Sequence, residues 1–202
     1  MWGFAAVTVP LVATPGPSTA VVFRNSLAGG VRAGVATAVG VNTGSICYGL
    51  LSAFGVAVAL RQWPMAWVVL RVGGAAYLAW LGLRSFRLAL TYRGRDARVA
   101  EEPPQPSWSR SLREGFMTNA LNPSLATFYL LIVPQFIPRG APVVASVLTL
   151  TALHVCLALT WHLTWATAGG TLSRTLSRTR PRRTLEAISG VALLGLALKV
   201  LL

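Results

Sequence analysis

Six runs of roughly twenty apolar residues recur along the chain, near 4–23, 36–60, 64–83, 116–137, 143–168 and 185–202. A helix needs about 20 such residues to cross the hydrocarbon core of a bilayer. Inside lipid, only helices and closed barrels satisfy every backbone N–H and C=O. Six runs leave little of the 202 residues for a soluble domain. Charged residues make up 11%, against about 25% in soluble domains. The sequence predicts an all-α polytopic membrane protein with six transmembrane helices.

The net charge of +13 does not read as a nucleic-acid footprint, because no aromatic or groove-reading side chains are interleaved with the arginines. Most basic residues fall after the first, third and fifth runs: Arg24 and Arg32; Arg84, Arg87, Arg93, Arg95, Arg98, Arg110 and Arg113; Arg174, Arg178, Arg180, Arg182 and Arg183. Lys and Arg favour the cytoplasmic face, so these loops are expected inside and both termini outside. Anionic lipid headgroups are the expected neighbours of this charge. Cys47 and Cys156 lie within apolar runs, show no disulfide framework or metal-ligand spacing, and are expected as small core residues. No metal or cofactor is expected. The opening MWGFAAVTVPLV has no basic leader, so the first run is expected to stay in the mature protein.

One long polar segment, 91–114, holds Asp96, Glu101, Glu102 and Glu114 with Pro103, Pro104 and Pro106. Its composition reads as a linker between halves 1–90 and 115–202 of a single transporter domain. The halves resemble each other weakly. PGPSTAVVF at 15–23 aligns with LNPSLATFY at 121–129, pairing Pro17 with Pro123 and Ser18 with Ser124; GGAAYLAWLG at 73–82 resembles SGVALLGLAL at 189–198. Three spans per unit require opposite orientations, giving a 3+3 inverted repeat.

Proline inside a span removes an N–H and displaces the carbonyl one turn back. In hydrocarbon such unpaired groups cost several kcal/mol unless protein or cavity water satisfies them. Helices 1 and 4 are therefore expected to break at their Pro motifs beside a polar pathway, since matched interruptions in two halves point to a midplane binding site. Bare N–H groups at a half-helix start favour carboxylates, and exposed carbonyls favour ammonium. A packing kink absorbed by neighbouring helices stays open as the alternative.

Other polar residues within the runs are few. Asn42, Ser45 and Tyr48 drift around one side of the second run, as pathway lining or as interhelical bonds. His154 sits near the middle of the fifth run, a depth at which an ionisable group marks function, and imidazole takes and releases protons near neutrality. It is the proton-coupling candidate, with Trp161 nearly on its face and His162 about a quarter turn away. A neutral histidine bonded to a carbonyl is the competing reading. Glu114 and Glu186 open the fourth and sixth runs, where a carboxylate suits the positive helix end. Gln135 is a gate candidate near the end of the fourth run.

These residues carry a resemblance. TPGPST, the Gly-rich NSLAGGVRAGVATAVGVNTG, LRVGGAAYLAWLGLRSF, FMTNALNPSLATFYLLIVPQF and LEAISGVALLGLALKVLL occur in the order seen in the LysE/RhtB family of amino-acid exporters. The resemblance implies a small bacterial inner-membrane exporter of amino acids or related metabolites, driven by the proton motive force and working as an oligomer. It makes Pro15, Gly16 and Pro17 the first breaker, and Asn119, Asn122 and Pro123 the second. Ser18, Thr19 and Ser124 join Asn42, Ser45 and Tyr48 as candidate substrate contacts. The family often has Asn where this chain has Ser18 and Lys where it has Ser124, which leaves the charge of the substrate open. The expected function is secondary export by alternating access, not an enzyme. Two alternatives stand beside it: export of another solute such as a metal cation, disfavoured by the missing ligand cluster, and a membrane-embedded enzyme, for which Ser18 with His154 is the only assembled pair.

Overall fold

A computed structural model of the chain describes residues 2–14, 16–54, 64–91, 106–138, 140–175 and 179–201. Pro15, Gly55, Trp63 and the body of the expected linker, 92–105, lie outside the described residues. Among those described, the regular structure is helical: α1 (Trp2–Ala13), α2 (Pro17–Ala53), α3 (Pro64–Thr91), α4 (Trp108–Ala120), α5 (Pro123–Thr127), α6 (Val143–Thr175) and α7 (Thr179–Leu201). By length and apolarity, α2 and most of α6 can each cross a bilayer, and α4 with the segment after it makes a third candidate bent by 54°.

α2 is not one rod. Gly29 and Gly30 leave helical geometry, Gly30 with φ 71°, a region that only glycine enters without penalty. The chain reverses there. Asn25 Nδ2 donates to Thr37 Oγ1 at 3.0 Å, whereas twelve residues of straight helix would hold them about 18 Å apart. α2 is thus a helical hairpin with arms 17–28 and 31–53, and the reversal takes two glycines where the sequence reading placed a longer basic loop.

Several basic residues assigned to loops are helical instead. α3 runs to Thr91 and α6 to Thr175, while α4 starts at Trp108 within the expected linker. Ser107 caps α4, its Oγ accepting from the Arg110 N–H at 3.3 Å. Arginine is a good helix former, so the helices continue past the point where apolarity ends. Arg24 departs furthest from its expected role as an exposed topology signal: it is 3% exposed and pairs with Glu114 at 3.2 Å. Glu114 is the seventh residue of α4, not its opening, and is 6% exposed.

Small residues set the helix approach, as expected where lipid supplies no hydrophobic drive between helices. A side chain at Gly40 would run into the Leu112 carbonyl, and one at Gly115 into the Thr37 carbonyl, so the second arm of α2 and α4 are in backbone contact. Val21, Val22, Val41, Leu78, Leu81, Ala166 and Leu193 join α2, α3, α6 and α7. A second cluster of Phe4, Leu125, Phe128, Tyr129, Val133 and Leu150 joins α1, α6 and the α5 segment. Cys47 and Cys156, expected in the core, are exposed on the outer surface. A lipid-facing surface is as apolar as the interior, so hydropathy cannot tell the two apart. Trp2 is 91% exposed, and Trp80 and Trp108 are also exposed, as interfacial tryptophans are.

Candidate functional site

Helices start at Pro17 and at Pro123, and the residues around both starts face one space. α1 ends at Ala13, Gly16 is extended (φ −131°, ψ −172°), and α2 begins at Pro17. Glycine has no side chain to cap this start, and helix geometry gives the Ser18 and Thr19 N–H groups no partner one turn back within α2. The second break is built differently. α4 closes with Leu121 N–H on the Met117 carbonyl at 3.1 Å, and Pro123 starts α5. Asn122 caps that start, its Oδ1 accepting from the Ser124 N–H at 3.0 Å. Beyond α5, Phe128–Ile132 widens into a π turn and Val133–Phe136 tightens into a 3₁₀ turn, adjustments that accommodate Pro134, which has no N–H to donate.

One side chain ties the breaks together. Asn119, 2% exposed, accepts from Ser18 Oγ at 2.9 Å and donates to the Val41 carbonyl at 2.7 Å and to Ser45 Oγ at 2.9 Å. It therefore joins α4 to both arms of α2. Beside it lies a cavity of about 500 Å3. Its described lining takes Gly16, Pro17, Ser18 and Thr19 from the first break, Asn119, Asn122, Pro123 and Ser124 from the second, Ser45 from the hairpin, and His154 from α6.

Asn42 and Tyr48 stand outside this lining and act between helices. Asn42 Nδ2 bonds the Ala38 carbonyl at 2.8 Å and lies 3.3 Å from His162 Nδ1. Tyr48 donates to the Ala120 carbonyl at 2.8 Å and stacks on Tyr129. Gln135 is exposed in the 3₁₀ turn, also away from the cavity lining.

His154 is buried and lines the cavity against the Phe128 ring, with no hydrogen-bond partner for Nδ1 among the described residues. His162 and Ala158 line the same cavity. Residues 154, 158 and 162 follow the four-residue spacing of one helix face, whereas Trp161 packs against Trp165. The sequence reading missed His162 as lining and also the apolar walls, Leu11, Val12, Val41, Leu125, Phe128 and Leu196. Spacing on α6 was the available signal for His162. Among the described lining residues none is Asp, Glu, Lys or Arg, and no three His, Cys, Asp or Glu side chains gather into a metal-binding group among the described residues.

A family model, the LysE type translocator, matches residues 9–202. The chain belongs to the LysE type translocators. This translocator is 24% identical over 200 residues to the uncharacterized membrane protein YrhP of Bacillus subtilis (strain 168), covering 97% of this chain and 95% of that one. It is 32% identical over 141 residues to the leucine efflux protein of Salmonella choleraesuis (70% of this chain, 65% of that one). It is 33% identical over 151 residues to the leucine efflux protein of Klebsiella pneumoniae (72% and 69%). No solved structure matches this translocator significantly. It is an integral membrane transport protein of an efflux family.

Proposed function

We propose that the chain is a secondary active exporter of neutral amino acids or close relatives, working by alternating access in the bacterial inner membrane. The observation that carries this reading is the uncharged cavity of about 500 Å3 flanked by both helix breaks, which the Ser18–Asn119 bond holds together. The asymmetry of the breaks suggests how the substrate lies. Asn122 already serves the N–H of Ser124, while the uncapped start of α2 offers Ser18 and Thr19 to a carboxylate. A lining with no described Asp, Glu, Lys or Arg favours an uncharged side chain against Leu11, Val12, Phe128 and Leu196. The leucine efflux relatives agree with this class.

On this reading α1 with the first arm of α2 forms the first span, the second arm the second, and α3 the third. α4 with the α5 segment, then α6 and α7, repeat the unit in inverted orientation, with both termini outside. His154 serves the proton step, as a buried imidazole whose residue lines the cavity. Proteoliposomes test the reading: labelled leucine accumulates by counterflow into vesicles preloaded with leucine, and glutamate and arginine do not. Absence of counterflow across a full amino-acid panel contradicts it.

A further inference from the structure

Glu114 receives three arginines. Arg24 Nη1 reaches its Oε2 at 3.2 Å, Arg110 Nε reaches Oε1 at 3.4 Å, and Arg84 Nη1 pairs closely with Oε1. Asn25 Nδ2 donates to Oε2 at 3.1 Å, and Arg24 Nε donates to Ser85 Oγ at 2.7 Å. One carboxylate thus fastens the first arm of α2, α3 and α4, and Asn25 carries the contact on to Thr37 of the second arm. A lone pair of this kind between two helices would read as a packing contact. Three helical segments meet on this one charge, and a fourth is tied to it through Asn25, with positive charge in excess.

Its place relative to the cavity is the same along both arms of α2 and along α4. Arg24 follows the lining residues Ser18 and Thr19 toward the Gly29–Gly30 turn; Thr37 precedes Val41 and Ser45, again toward that turn; Glu114 precedes Asn119. The exposed lining residues Leu11, Thr14 and Ser124 lie in the opposite direction along the chain. The cluster therefore lies on the arginine-rich side of the cavity, and the exposed lining residues lie on the other.

We propose that the Arg24–Glu114–Arg84 cluster is a charged gate that closes the cavity from the cytoplasmic face and must part to admit substrate. This rests on the transport reading above and on the arginine-rich side being cytoplasmic. Buried ion pairs suit such a device: paired, they close a low-dielectric plug, and parted, their charges need water, so the separated state is a hydrated passage. Neutralising the carboxylate leaves three cations facing one another and favours the parted state. The cluster acts on access to the cavity, not on the substrate itself.

The test uses Ser85, fully buried behind Arg24, replaced as Ser85→Cys in a protein carrying Cys47→Ser and Cys156→Ser. A membrane-impermeant maleimide is applied to inside-out and right-side-out vesicles. Adding Glu114→Gln should speed labelling of position 85 at least tenfold in inside-out vesicles and leave it unchanged in right-side-out vesicles. Glu114→Asp, which keeps the charge but shortens its reach to the arginines, should give a smaller acceleration and serves as the deciding variant if Glu114→Gln does not fold. Unchanged labelling in a folded variant overturns the gate, as does faster labelling that appears only with loss of the unfolding transition. Counterflow by the parent protein is scored separately, so failure of transport and failure of the gate are told apart.

Discussion

Asn119 makes three hydrogen bonds and Ser18 shares one of them, so a double-mutant cycle between the two has a definite shape. Interhelical side-chain bonds in membrane proteins average about 0.6 kcal/mol. On that scale Ser18→Ala loses roughly 0.6 kcal/mol and Asn119→Ala roughly 1.8 kcal/mol, with three bonds removed at once. The double variant should also lose roughly 1.8 kcal/mol, because the Ser18 hydroxyl has no partner left to lose. Unfolding by SDS titration in mixed micelles measures all four proteins. A double variant near the additive value of roughly 2.4 kcal/mol would refute the reasoning, since the hydroxyl and the amide would then contribute independently. So would an Asn119→Ala loss no larger than that of Ser18→Ala, which would leave the bonds to Val41 and Ser45 without weight.

Three further outcomes are expected. His154→Gln should abolish transport driven by a pH gradient in inverted vesicles while counterflow survives; intact proton coupling removes His154 from the mechanism. Gly115→Val places a branched side chain against the Thr37 carbonyl and should destabilise the α2–α4 contact by about 1–3 kcal/mol, read as a lowered unfolding midpoint; an unchanged midpoint contradicts the close approach. Ala158→Phe fills the cavity wall between the two histidines and should shift counterflow preference from leucine toward alanine, whereas an unshifted preference argues that substrate does not reach this wall.

The helix starts at Pro17 and Pro123 were legible because proline and glycine act on their own backbone, and local effects are written locally. Ser45 and His154 drew notice because polar groups are rare in apolar runs, and Asn119 through the motif that carries the family resemblance. The partnership of Arg24 was not. Its acceptor lies ninety residues away, and a single arginine beside an apolar run looks the same whether it marks a loop or fills a buried pair. The start of α4 was obscured by composition: the prolines and charges of 91–114 read as linker, although Ser107 three residues before Arg110 forms a cap. The cysteines were misplaced because lipid removes the contrast between inside and outside that makes burial readable in soluble proteins. The apolar cavity wall escaped for the same reason, since Val12, Leu125 and Leu196 resemble their lipid-facing neighbours until the helices are packed.

The central claim is that substrate sits between the two broken helices. Thr14→Cys and Ser124→Cys, each in the protein carrying Cys47→Ser and Cys156→Ser, put an exposed thiol on the cavity at each break, and Thr149→Cys provides an exposed site outside the lining. Maleimide labelling is then followed with and without saturating leucine. The account predicts that leucine slows labelling at positions 14 and 124 and leaves 149 unaffected. Equal labelling rates at both breaks, in protein that still performs leucine counterflow, would place the substrate elsewhere and contradict it.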